Sequence, residues 1–232
     1  MFGEIESVHR VEEVPTGRNI YVIVDVKYFS STVVELLSRG IEEVHVTEKR
    51  GDEFDFKQEN NNTVIGGPTL PGYRTDDGYD FFNSPAAVRD IDSLEEKSFA
   101  ALTSSNGGRA INRLSSKEDD IEIFVGSTTN AEALGTFLRE NRSPSDICIV
   151  PCGTDGVPAP EDYIGATHIA AAIENIEIPD KKERRHGSAV RNSKGPYRKR
   201  PEHRQRDADI VSEFNSQDVV PYSDGRDIRD IG

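Results

Sequence analysis

A three-layer α/β/α fold around a mostly parallel or mixed sheet is what this 232-residue chain predicts. Two features carry the prediction. Short β-branched and apolar runs lack the polar alternation of half-exposed strands, as strands covered on both faces do. Each run then leads through a polar turn into a segment of helical spacing, and that order recurs along the chain.

The first run, Ile20 to Val26 (IYVIVDV), is almost continuously apolar. Ser30, Ser31 and Thr32 follow, and VVELLSRG keeps helical spacing up to Gly40, a residue suited to end a helix. Glu43 to Thr47 reads as the next strand and completes a βαβ unit. Downstream, Phe99 to Thr103 opens through Ser104, Ser105, Asn106 and Gly107 into the helical GRAINRL. Ile121 to Gly126 opens through Ser127, Thr128, Thr129 and Asn130 into AEALGTFLRE. Ile147 to Pro151 passes a Gly/Pro loop into EDYIGATHIAAAIENI. The stretch Gly66 to Pro85 reads as irregular, and long irregular segments in compact domains are often functional. It closes on Ser84 and Pro85, a helix cap followed by a proline at the first helical position.

Residues 181–206 hold eleven Lys or Arg and two Glu with almost no large apolar side chain. That composition predicts a solvated, flexible insertion. The expected division is therefore an α/β domain over residues 1–180, a basic insertion over 181–206, and a segment 207–232 that returns to the same domain with a last helix and strand.

Lys plus Arg is 28 and Asp plus Glu is 42, a net charge of -14. Such a body repels a phosphate backbone, so nucleic acid is disfavoured as a partner except through the basic residues 181–206. An acidic surface with one Met and no Trp also suits a halophile. Cys148 and Cys152, four residues apart in an apolar stretch, suggest neither a disulfide framework nor a cysteine zinc site. No apolar run is long enough for a bilayer, and the first fifteen residues lack the basic start and apolar centre of a signal peptide. A cytoplasmic protein without a membrane partner is expected, its state as monomer or homo-oligomer left open.

The three hydroxyl and amide clusters, Ser30/Ser31/Thr32, Ser104/Ser105/Asn106 and Thr128/Thr129/Asn130, all stand where a strand ends and a helix begins. Free amides and the positive helix terminus favour an anion there, although each cluster also reads simply as a helix cap. Asp25 stands at the end of a buried strand, where a carboxylate is costly unless it meets a cation or several donors. Glu161 and Asp162 open a later helix. If these acids converge they offer the hard oxygens that Mg²⁺ prefers. Asn83 and Arg109 complete the candidates, Arg109 because a guanidinium grips phosphate with two parallel bonds. There is no Walker loop, no GxGxxG after a strand, no GxSxG elbow and no HExxH, and the five histidines form no ligand-spaced cluster.

Taken in order, VIVDVKYFSSTVVELLSRG, GYDFFNSP, LTSSNGGRAI, IFVGSTTNAEAL, IVPCGTDGVPAPEDYIGA and DIVSEFNSQDVVP resemble the blocks of the 2-phosphosulfolactate phosphatase family, the Mg²⁺-dependent phosphatases of coenzyme M biosynthesis. The resemblance implies a phosphoric monoester hydrolase acting on a small phosphorylated hydroxy acid, with Mg²⁺ as cofactor. It implies catalytic roles for Asp25, Asn106 and Arg109, and metal ligation by Asp25, Glu161 and Asp162. Substrate contacts would come from Ser30, Ser31, Asn83, Ser84, Ser105, Gly107, Thr129 and Asn130. Two family arginines are missing. Tyr28 stands at the arginine of the Asp-Val-Leu-Arg-Ala-Thr block, and Gly66, Gly67, Pro68 and Thr69 occupy the region of Gly-Glu-Arg. Lys27 adjoins the first gap, but neighbouring side chains on an extended segment point to opposite sides. The competing reading is a non-catalytic protein of the same fold that binds an anionic metabolite or nucleic acid.

Overall fold

In a computed structural model, which describes residues 13–14, 17–70, 74–117, 120–194, 204–223 and 225–232, strand β1 (Ile20–Val24) is buried along its whole length. Tyr21 and Ile23 face one apolar core, and Ile20, Val22 and Val24 face a second. Successive strand residues point to opposite sides, so a strand covered on both has no room for polar alternation.

The chain continues through α1 (Phe29–Ser38), β2 (Glu43–Val46), α2 (Asp52–Glu59), β3 (Thr63–Gly67), β4 (Phe81–Phe82) and α3 (Pro85–Arg89). Next come β5 (Phe99–Leu102), α4 (Gly107–Ser115), β6 (Glu122–Gly126), α5 (Ala131–Asn141), β7 (Ile147–Pro151) and α6 (Pro160–Ile173). The last elements are α7 (Asp180–Asn192), α8 (Arg204–Ile210), β8 (Pro221–Ser223) and β9 (Asp227–Asp230). The strands form one sheet in the order β4-β3-β5-β2-β9-β8-β6-β1-β7. Its two wings, β4-β3-β5-β2 and β6-β1-β7, are each parallel within themselves. The antiparallel hairpin β8-β9 joins them. The two wings therefore run in opposite senses along the ladder, and the segments that follow β1 and β5 nevertheless meet, the Gly107 N–H donating to Asp25 Oδ2.

The sheet is thus mixed, and β1 and β2 are not neighbours, because β6, β8 and β9 lie between them. The closing segment supplies two strands where one is expected, and it places them in the middle of the sheet. The stretch Gly66 to Pro85 is less irregular than its composition suggests: Gly66 and Gly67 end β3, and Phe81 and Phe82 pair with them as β4. Residues 71–73 lie outside the described residues. Helix α2 is not evident in the sequence because it is mostly polar; it is held by Phe56 stacked on His45 at 4.3 Å and by Phe54 edge-on to Tyr79. Among the described residues no helix is long and apolar enough to cross a membrane.

Residues 181–192 of the basic stretch lie in α7, so this part of the expected flexible insertion is a helix. The helix is solvated along most of its length, but Val190 is fully buried in the second core. Residues 195–203 lie outside the described residues. At the carboxyl end of α7, Lys27 Nζ donates to Val190 O, Ser193 O and Ser193 Oγ at 2.6 to 2.8 Å, a cation set against the negative end of the helix dipole.

Helix α5 packs closely on α6 at Gly135. A Cβ there would lie 2.4 Å from Ala172 Cβ and 2.9 Å from Ile169 O. Gly135→Val is expected to cost about 3 kcal/mol through overpacking, seen in thermal denaturation as a fall of roughly 6 to 12 °C.

Between α6 and α7, His168 stacks on Phe214 at 4.1 Å and shares a 2.9 Å hydrogen bond with His186. Burial, then the charges of His186 and Lys182, push His168 down to about 4. An unfolded His titrates near 6.5, so between about pH 4 and 6.5 the unfolded chain binds the extra proton, and this group withdraws stability as pH falls through that window. His168→Gln is expected to flatten that part of the pH-stability curve.

Candidate active site

Asp25 follows β1, and the turn into α1 is built around it. Its own N–H donates to Ser30 Oγ at 2.9 Å, and its Oδ2 accepts from the Gly107 N–H at 3.0 Å, which ties the end of β1 to the start of α4. Asp162, in the first turn of α6, accepts from the Val26 N–H at 2.8 Å and from the Gly153 N–H at 2.9 Å. Asp25, Glu161 and Asp162 are 2%, 1% and 2% exposed. Carboxylates from residues far apart in the chain therefore gather at one sheet end.

Their crowding shows in their proton affinities. Burial first, and then the charge of Glu161, push Asp25 up to about 6 against the pull of the Gly107 and Phe29 amides. Burial, followed by Asp25 and Glu161, holds Asp162 well above the usual carboxylate range. Cys152 borders the group, and burial and then Asp25 and Asp162 push its thiol far up, which disfavours a thiolate nucleophile. Glu161 Oε1 is buried without a hydrogen-bond partner among the described residues.

These features fit a hard divalent cation. The cluster carries excess buried negative charge, its donors are oxygens, and one of them is orphaned. Among the described residues no set of three or more His, Cys, Asp or Glu side chains stands ready as a metal cage. With both Asp162 oxygens already accepting backbone bonds, Asp25 and Glu161 are the two acids best placed to ligate, and Asp162 holds the β1 end in position.

Asp25 also lines a cavity of about 160 Å³. Its walls include Lys27, Tyr28, Arg50, Gly67, Thr69, Asn83, Ser104, Ser105, Asn106 and Arg204. A wider hollow of about 460 Å³, lined by residues of α5 and α6 together with 175–178, Glu183 and Asn215, contains none of these acids. The smaller cavity is the candidate site because Asp25, one of the three buried acids, lines it.

The structure divides the residues expected from the sequence. Asp25, Asn83, Ser105 and Asn106 line the cavity, and the Asn106 side chain makes no capping bond to α4. The other hydroxyl and amide clusters serve the fold. Ser30 Oγ donates to Ile23 O, and Ser31 bonds Val26 O and Ser127. Asn130 bonds Ser127 N, Val125 O and Val219 O. Thr129 O accepts from the Gln217 N–H, so the third cluster anchors the C-terminal segment. Ser84 caps α3 and donates to Asp207 at 2.6 Å, and the Gly107 amide is spent on Asp25. Arg109 is exposed on α4 and lies outside the cavity lining. Gly107 and Gly108 occupy the face of that helix turned to Phe29, and helical periodicity carries the next residue away.

Two cations that the sequence does not single out line the cavity instead, Arg50 and Arg204. Arg204 lies 2% exposed with its guanidinium 3.9 Å above the Tyr28 ring. Its only signal in the sequence is membership of the basic stretch.

An α/β fold in which the buried Asp25 and the cations Arg50 and Arg204 line a small polar cavity suits a protein that handles small anions. A model of the 2-phosphosulpholactate phosphatase family matches residues 6–223, and the chain belongs to that family of phosphoric monoester hydrolases. It is 31% identical over 171 residues to the 2-phosphosulfolactate phosphatase of Methanocaldococcus jannaschii, covering 72% of this chain and 68% of that one. It is 26% identical over 211 residues to the protein named "Probable 2-phosphosulfolactate phosphatase" in Carboxydothermus hydrogenoformans, covering 86% and 84%.

Proposed function

We infer that the chain hydrolyses 2-phosphosulfolactate to sulfolactate and inorganic phosphate with Mg²⁺ as cofactor. The observation that carries this reading is the burial of Asp25, Glu161 and Asp162, the first of which lines a cavity sized for a small molecule and walled by amides, hydroxyls and arginines. Asp25 and Glu161 would hold the ion, which when bound supplies a Lewis acid for the phosphoryl oxygens and lowers the pKa of a bound water. Asp162 orients the Asp25 segment through Val26 and the following loop through Gly153. Asn106, Ser104 and Ser105 stand at the carboxyl end of β5, where they would receive phosphoryl oxygens, and positioning of this kind supplies most of the catalysis in phosphoryl transfer. Water attacks phosphorus and gives up a proton to solvent, the P–O bond to the hydroxy acid breaks, and the alkoxide leaving group takes a proton from solvent in return.

Phosphate release from 2-phosphosulfolactate, assayed with Mg²⁺ and with EDTA, tests the reading. Release that requires the metal is expected. Release that is unchanged in EDTA contradicts the metal, and no release in either contradicts the substrate.

A further inference from the structure

Lys27, Arg50 and Arg204 are the cations that line the cavity, and two of them are engaged by the protein itself. The Lys27 ammonium donates to Val190 O and to Ser193 at the end of α7. Arg204 is buried, with its guanidinium spent on Asp207, Asn83 and Thr69. Arg50 differs. It is exposed, and among the described residues no hydrogen bond or ion pair holds its guanidinium. The acids around it in the chain have other partners: Glu48 pairs with Arg226, and Asp52 accepts from the Lys49 N–H at 3.1 Å.

The turn that carries Arg50 is nonetheless fastened to the site through Glu53, a carboxyl with 0% exposure that the proposed reaction does not use. Its Oε2 accepts from the Gly51 N–H at 2.7 Å, and its Oε1 accepts from the hydroxyls of Thr47 and Thr103. Those hydroxyls also lie 2.6 Å apart. Thr103 lines the cavity and leads directly into Ser104, Ser105 and Asn106, and the Gly107 N–H that follows is bonded to Asp25. A satisfied, buried polar network is rigid. It therefore keeps the Arg50 turn at a set distance from the segment that would receive the phosphoryl group.

We propose, on the basis of the phosphatase reading, that Arg50 is a specificity residue: its guanidinium binds the non-reacting acid group of the substrate, a carboxylate or sulfonate, and so favours acid-bearing phosphate esters over neutral ones. The cavity is about 160 Å³, small enough that a ligand with its phosphoryl group at Ser104 to Asn106 brings its other acid groups within reach of a side chain on the same wall. An exposed charge is screened by water and salt, so contact rather than long-range attraction is what Arg50 supplies. Its planar fork of donors gives that contact in bidentate form. With no partner in the protein to give up, it binds a ligand acid without breaking an existing ion pair.

The test compares kcat/KM for 2-phosphosulfolactate with that for 4-nitrophenyl phosphate, which bears no second acid, in the wild type, Arg50→Gln and Arg50→Lys. Arg50 is exposed and unpaired among the described residues, so both variants should fold with the wild-type Tm. Loss of a charge-assisted bond predicts a fall of about 10-fold or more on the acid-bearing ester in Arg50→Gln, mainly in KM, with the neutral ester changed by less than about 3-fold. Arg50→Lys keeps the charge without the fork and should fall between the two. Isothermal titration with sulfolactate, which lacks the phosphoryl group, should show binding to the wild type and at least about 10-fold weaker binding to Arg50→Gln. Equal losses on both esters, no loss on either, or sulfolactate binding that is absent from the wild type or unchanged in Arg50→Gln overturns the role of Arg50. A wild type inert on both esters overturns the hydrolase reading, and the sulfolactate titration then decides the role of Arg50 by itself.

Discussion

Asp25→Asn is expected to give a protein at least roughly 10³-fold less active than the wild type and yet more stable in metal-free buffer. The carboxylate is buried beside two others, and its proton affinity is raised to about 6 from 3.8. A group whose folded pKa exceeds its unfolded value binds the extra proton in the folded state between those values. Stability therefore falls as pH rises from about 4 to 6 and stays lowered above that. A shift of this size corresponds to about 3 kcal/mol as an upper figure. Asparagine keeps an oxygen for the Gly107 amide and carries no charge, so in EDTA at pH 7.5 a gain of about 1 to 3 kcal/mol is expected, or roughly 2 to 10 °C in Tm. The decline between pH 4 and 6 should vanish in the variant. His168 slopes the opposite way over nearly the same range, so the wild-type curve alone is close to flat there and the difference between the two proteins is the quantity to read. A variant less stable than the wild type at neutral pH would show that the buried charge is already compensated.

Gly107→Val should lose activity with the opposite effect on stability. A Cβ at residue 107 would stand 2.4 Å from Phe29 Cδ1 and 3.2 Å from Asp25 Cβ, and Phe29 is fully buried. The start of α4 must then move, the amide parts from Asp25 Oδ2, and Ser104 to Asn106 shift with it. Misplacement of catalytic groups by about 1 Å costs about 100-fold in rate, and overpacking costs about 1 to 3 kcal/mol. Measured side by side, Asp25→Asn is inactive and stabilised, whereas Gly107→Val is nearly inactive and destabilised. A Gly107→Val protein with wild-type Tm and activity would mean that the α4 contact does not position Asp25.

The strands were legible because burial on both faces leaves an unmistakable apolar run: Ile147–Pro151 is read from the sequence with the bounds the structure gives it. The acids were legible too, since a carboxylate ending such a run needs a reason to be there. Helix α2 was hidden because it is mostly polar and is held by a few aromatic contacts made with distant residues. The hydroxyl clusters misled in part: a serine that caps a turn and one that faces a ligand are the same in composition, and only the bonds of Ser30, Ser31 and Asn130 tell them apart. Arg204 was out of reach for a different reason. Its place depends on Asp207, Asn83 and Thr69 converging across more than a hundred residues, and no local pattern encodes that.

Isothermal titration of Mg²⁺ into chelator-stripped wild type, Asp25→Asn and Glu161→Gln asks most directly whether the buried acids form a cation site. The predicted result is a single Mg²⁺ bound by the wild type and by neither variant. Equal binding by all three proteins, or none by the wild type, would contradict it.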